Sequence, residues 1–362
     1  MAYENFWGKS YYSSSYHAQN ELPYEEGAFQ TWQQALSRVN PEARKQVEQA
    51  KDKWNSRVRE LLRGETGLKF LRTEFVESKP QNIETKNKNT NQVTADEFLK
   101  KAPIKIVDGF PPPLVHYFED IMIDAADILL RRQDFAQAKT TLEFSEKNFP
   151  LLLKYSRKSD GHVTPQTLQY VSAFLAGLVT QVDQYNLIER ILKIDEDCLG
   201  AYFYRRPEIQ LYWLPIAILA QCSPIADTES LTFITLAHEL AHAYTHQGKD
   251  IDGTDWNTEQ FAHCDKCIVE GIAQYYTWQL CKRMRSHSPR FENSFNWMLE
   301  KQSEPYTRFT TWIETDNRVN QKKQHGEVMR AAMLQTRRKP IMELDKFEYE
   351  IHESRKRLET QR

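Results

Sequence analysis

The spacing of hydrophobic and polar positions singles out residues 231–248 (LTFITLAHELAHAYTHQG) as a stretch of helical character. Leu231, Phe233, Ile234, Leu236, Ala237, Leu240, Ala241, Ala243 and Tyr244 leave almost no polar face, which predicts a buried helix. Asp227, Thr228 and Glu229 supply an N-cap and first-turn negative charge, and Gly248 a stop. A second apolar helix runs through Cys267-Ile268-Val269-Glu270-Gly271-Ile272-Ala273-Gln274-Tyr275-Tyr276, where small Gly271 and Ala273 predict close packing on the first. Upstream, residues 199–205 and 209–219 are rich in aromatic and β-branched side chains and read as two strands either side of Arg206-Pro207. A short strand is expected at residues 104–107, and Thr164-Pro165 opens a long helix reaching about residue 193.

The remaining pattern is more polar. Residues 41–62 form a charged helix with a thin apolar stripe at Val47, Trp54, Val58, Leu61 and Leu62, ended by Gly64 and Gly67. Residues 1–30 show no period, and residues 77–94 have the composition of a flexible linker. Residues 114–156 read as a helical hairpin; 126–142 resemble half of a tetratricopeptide repeat, but no second copy follows. After Phe291 the chain is helical and mixed, with a break at residues 304–308, a helix through residues 326–333 and a charged, heptad-like helix at 342–358. The expectation is an α+β fold, mostly α, with a small sheet beside the helix of residues 231–248. It divides into a polar extension (1–98), a main domain (99–340) and a C-terminal charged helix (341–362).

The chemistry sits on the two apolar helices. His238-Glu239-Leu240-Ala241-His242 places two imidazoles one turn apart on one helix face, within reach of a single metal ion. Glu239 is then placed to take a proton from a water at that metal. A buried helix has little reason to carry such groups unpaired, since each would cost several kcal/mol. A catalytic zinc needs a third protein ligand and an open fourth position. Thr245 and Gly248 stand where a metzincin would carry Gly and His, and His246 drifts round the helix as an outer or exposed residue. The lone carboxylate of the second helix, Glu270, is the best candidate for the third ligand.

His238, Glu239 and His242, followed by Glu270 in a Glu-Gly-x-Ala context, resemble the gluzincin group of zinc metallopeptidases. The resemblance covers roughly residues 165 to 280. It implies a zincin-like catalytic domain holding one Zn2+ on His238, His242 and Glu270, with Glu239 as the general base of peptide-bond hydrolysis. It also implies that the strand near residues 209–213 is the edge that receives an extended substrate. A C-terminal Tyr306, His325 or Arg330 would then stabilise the oxyanion. Where thermolysin-like enzymes carry an Asp that orients a zinc histidine, this chain has Gln274; Asp250 or Asp252 are other outer-sphere candidates. No Gly-x-Met-x-Asn signature lies near the strands, which favours an endopeptidase. Two other readings stand beside this one: a catalytically silent zincin-like regulatory or binding domain, and a helical adaptor with an accidental motif.

Composition narrows the setting. A net charge of −2 over 362 residues leaves no electrostatic footprint for nucleic acid or anionic membrane. No apolar run has membrane-spanning length, and the first residues lack the charged start and apolar core of a signal peptide. Five cysteines, with only one Cys-x-x-Cys (Cys264 and Cys267), read as packing residues in a reducing, cytoplasmic setting. Peptide or protein substrates are the expected partners, with the N-terminal region available to dock another protein.

Overall fold

In the computed structural model, residues 33, 36–37, 40–70, 102–109, 111, 198–223, 225–314, 322–339 and 341–360 are described. The expected linker at 77–94, hairpin at 114–156, long helix at 164–193 and irregular start at 1–30 lie outside them.

The charged N-terminal stripe forms α1 (Ala43–Thr66), which buries Val47, Val58, Leu61 and Leu62 as its spacing predicts. It runs through Gly64 and stops at Gly67, whose φ of 72° is the left-handed turn that glycine accommodates at a helix end. Strand β1 (Ile104–Val107) pairs parallel with β3 (Glu208–Tyr212), and β2 (Gly200–Phe203) pairs antiparallel with β3 across Gly200 and Leu211. The strand order is therefore β1-β3-β2, so residues 209–212 lie in the centre of the sheet and Trp213 already begins the next helix. That corrects the expectation of an edge there: both sides of β3 are hydrogen-bonded, and among the described residues the outer strand on this side is β2.

The second expected strand also ends early. After Tyr212 the chain turns into α2 (Trp213–Cys222), with Pro215 in the first turn where its missing N–H is harmless. Leu214, Ile216, Ala217, Ile218 and Leu219 are all buried, and a run apolar at every position cannot distinguish a buried strand from a buried helix.

Helix α3 (Thr228–Gln247) carries the histidines through the middle of the core, between α1 and α5 (Lys266–Arg283) and with α2 and β2 against it. α1 and α3 are tied by polar contacts as well: Tyr244 donates its hydroxyl to the carbonyl of Arg59 at 3.0 Å, and Lys53 meets Glu229 at 2.7 Å. The short α4 (Thr258–His263) lies between α3 and α5 in the chain. Helices α6 (Pro289–Leu299), α7 (Glu304–Thr307), α8 (Phe309–Glu314), α9 (Lys322–Arg338) and α10 (Leu344–Thr360) follow among the described residues, and the fold is α+β and mostly α. Glu304-Pro305 starts α7, with the proline in its first turn, so the expected break is also a helix start.

At Gly271 the nearest approach comes not from α3, as its small size predicts, but from Trp312. A Cβ there would fall 2.4 Å from the Trp312 ring, so this glycine seats α8. Trp312 in turn packs edge-on to Phe347 and donates its indole N–H to Glu348, which anchors α10 to α5 through α8. Among the described residues no helix is long and apolar enough to cross a membrane.

Candidate metal centre

Two local signals place the site. Asp227 accepts the Ser230 N–H at 2.7 Å and caps α3, while Asp265 accepts the Cys267 N–H at 2.8 Å and caps α5. With both starts set, His238, His242 and Glu270 face one another from the two helices, and all three are buried. Each offers one ligand atom, and those atoms lie within 4.8 Å of one another. His238 Nε2 is 3.0 Å from Glu270 Oε2 and 3.0 Å from His242 Nε2, and His242 Nε2 is 3.3 Å from the same Oε2.

This triangle fits a divalent cation. Two donors each ~2.1 Å from a tetrahedral zinc stand roughly 3.4 Å apart, close to what is observed. Two imidazole nitrogens facing each other at 3.0 Å are in conflict unless a cation or proton lies between them. Burial alone would raise the Glu270 carboxyl, but His242 and His238 outweigh it and hold it well below the ordinary carboxylate range. A carboxylate kept ionised in a dry site is a ligand ready for a metal. An accidental motif in a helical adaptor predicts no such approach of Glu270 to the histidines.

Glu239 is buried with its side chain against β2. A Cβ on Gly200 would stand 2.9 Å from Glu239 Cγ, 3.0 Å from its Oε1 and 2.7 Å from Thr235 Cγ2, so only glycine fits there. Sequence reasoning passed over Gly200, although a glycine in a strand is itself a signal of close approach. If Glu239 serves the site, Gly200→Ala is expected to slow hydrolysis about 10- to 100-fold by displacing it. Thr235→Ser in the same chain, which deletes the clashing methyl, should restore part of the rate in the same assay.

Aromatic rings close the site. Tyr306 lies with its ring 5.8 Å from that of His238, and Phe261 from α4 lies 6.4 Å from that of His242. Of the other oxyanion candidates, Arg330 donates to the carbonyls of Gly64 and Glu65 at the end of α1, and His325 lies in the first turn of α9. Gln274 turns its NH2 to Gln302 at 2.9 Å, and its buried Oε1 has no hydrogen-bond partner among the described residues. Gln274 therefore does not take the place of the Asp that orients a ligand histidine in thermolysin-like enzymes. Asp250 and Asp252 are engaged by Arg338, with Asp250 Oδ1 also accepting the N–H groups of Asp252 and Thr254, and so build a turn. Cys198 and Cys281 are buried and Cys264 and Cys267 half-buried, all as free thiols, and among the described residues none joins a metal-ligand group.

His246 is neither ligand nor exposed. Its Nδ1 meets the Tyr202 hydroxyl at 2.9 Å, its Nε2 meets Thr258 at 3.1 Å, and its ring stacks on Phe261. It fastens α3 to β2 on one side and α4 on the other. Burial first, then Arg337 and His242, push its pKa down to about 4. A histidine whose folded pKa lies below its unfolded one stabilises the fold fully above pH ~6.5, and that contribution is lost as the pH falls through about 4. The difference corresponds to on the order of 3 kcal/mol. Urea midpoints of the wild type are expected to drop between pH 7 and pH 4.5, and those of His246→Gln to drop less steeply.

No protein-family model matches the chain, no curated protein matches it, and no solved structure matches it.

Proposed function

We propose that the chain is a zinc-dependent peptidase of gluzincin type, with His238, His242 and Glu270 as the metal ligands and Glu239 as the general base. The observation that carries this reading is the convergence of two imidazole nitrogens and one carboxylate oxygen within 3.0–3.3 Å, on helices that also bury Glu239. The chemistry supplied by a bound zinc is Lewis-acid polarisation of a carbonyl and acidification of a water towards a pKa of ~7.

The remaining work falls to the chain's own side chains. Glu239 takes the proton of the attacking water and returns it to the leaving amine. Its side chain can lie against β2 because Gly200 bears no side chain of its own. Tyr306, beside His238, is the proposed donor to the carbonyl oxygen as it gains charge. The peptide lies along β2, the outer strand against α3, by backbone pairing. Phe261 and Tyr306 wall the site and limit access of bulk water.

Metal analysis of the purified protein, together with hydrolysis of casein with and without a chelator, tests the reading. One zinc per chain and cleavage abolished by the chelator are expected. Bound zinc without cleavage assigns the silent binding domain instead, and protein without zinc removes both.

A further inference from the structure

A second feature stands away from the metal centre. Where α1 ends and the chain passes through Gly67 towards Lys69, the surface opens into a cleft of about 590 Å³ between α1 and the C-terminal end of α5. Arg57, Arg63, Lys69 and Arg283 line it, against the single carboxylate of Glu60, and the buried edge of Leu61 contributes its apolar part. Glu60 is paired with Arg57 at 2.7 Å, and Arg283 is paired with Glu65. Among the described residues Arg63 and Lys69 form no ion pair, in a chain whose charges nearly balance.

Two further observations point to a ligand. A helix C-terminus carries partial negative charge and ordinarily repels anions. Here Arg330 cancels it by donating to the carbonyls of Gly64 and Glu65 at 2.6–3.0 Å, so the cleft stays positive up to the backbone. Gly64 lies within the helix, where glycine is among the least favourable residues, and a Cβ there would meet nothing within 4 Å. No packing reason calls for glycine at that position. What its missing side chain leaves is room in the cleft that Arg63 also lines.

We propose that this cleft binds a compact polyanion, phosphate- or carboxylate-borne, held by Arg63 and Lys69 and seated over Gly64. Guanidinium forks suit paired oxyanion oxygens, and the volume exceeds what one exposed carboxylate needs. The site is independent of the metal centre and stands whether or not the chain is a peptidase.

Calorimetric titration of the full chain with pyrophosphate, and separately with benzene-1,3,5-tricarboxylate, tests it. One site is expected, its affinity falling steeply with salt. Arg63→Gln with Lys69→Gln should weaken binding at least tenfold, and Gly64→Gln should do the same by filling the cleft. A thermal midpoint of the Gly64→Gln chain at or above that of wild type confirms that the helix is intact. Lys45→Gln, elsewhere on α1, should leave binding unchanged. Tighter binding of pyrophosphate assigns a phosphate ligand, and tighter binding of the tricarboxylate a carboxylate one. Absence of binding overturns the proposal. So does binding that persists in the Arg63, Lys69 and Gly64 variants, as chelation at the metal centre would.

Discussion

Glu239→Gln is expected to lower kcat for casein cleavage about 10³-fold while leaving one zinc per chain, the magnitude typical of losing a general base. The substitution keeps the volume of the side chain, so the contact with Gly200 and the packing of α3 against β2 survive. It removes only the ability to accept and return a proton. Because Glu239 is not among the three converging donors, metal content should be untouched. The measurement is a paired one, steady-state kinetics and metal analysis on the same preparation. A variant cleaving at the wild-type rate would sink the role given to Glu239, and one that lost its metal would show that Glu239 belongs to the ligand set instead.

Glu270→Ala should have the complementary effect. It deletes the only anionic donor of the triangle and leaves two imidazoles facing each other at 3.0 Å. Losing an outer-sphere partner of a metal typically costs 10- to 100-fold in affinity. Removal of a ligand is expected to exceed that, by about 10³-fold or more. The consequence for stability follows by linkage, since whatever binds only the folded state stabilises it. A chelator should therefore lower the thermal midpoint of the wild type and leave that of Glu270→Ala unmoved. Equal chelator sensitivity of the two proteins would mean that the metal sits elsewhere. Glu270→Asp, which retains a shorter carboxylate, is expected to fall between them.

The parts of the site that were legible in the sequence share one property: a polar group in an otherwise apolar helix. His238, His242 and Glu270 each break such a run, and burial of an unmatched polar group is costly enough that the exceptions are informative. The caps at Asp227 and at Gly67 were readable because each rests on local backbone chemistry. What could not be read depended on partners distant in the chain. The central position of β3 is set by β1, about a hundred residues earlier, and nothing within residues 208–212 records that pairing. The small size of Gly271 signals a close approach, but the group that comes nearest is Trp312, some forty positions on. Gly200 went unnoticed because its meaning lies in Glu239, across a gap of 39 positions. His246 looked like an outlying member of the metal face. Its role is set by Tyr202 and Thr258 on either side of it, one far back in the chain and one in the next helix.

The seat of Trp312 over Gly271 has a wider consequence. The residue next to the third ligand carries the indole that Phe347 and Glu348 hold in place, so the tail of the polypeptide is mechanically continuous with the cation pocket. With a metal ion held by His238, His242 and Glu270, folding of the last helix and occupancy of the site are expected to be coupled. Chain shortened before residue 344 is expected to bind zinc more weakly than the full chain, and added zinc is expected to shield residues 344–360 from proteolysis.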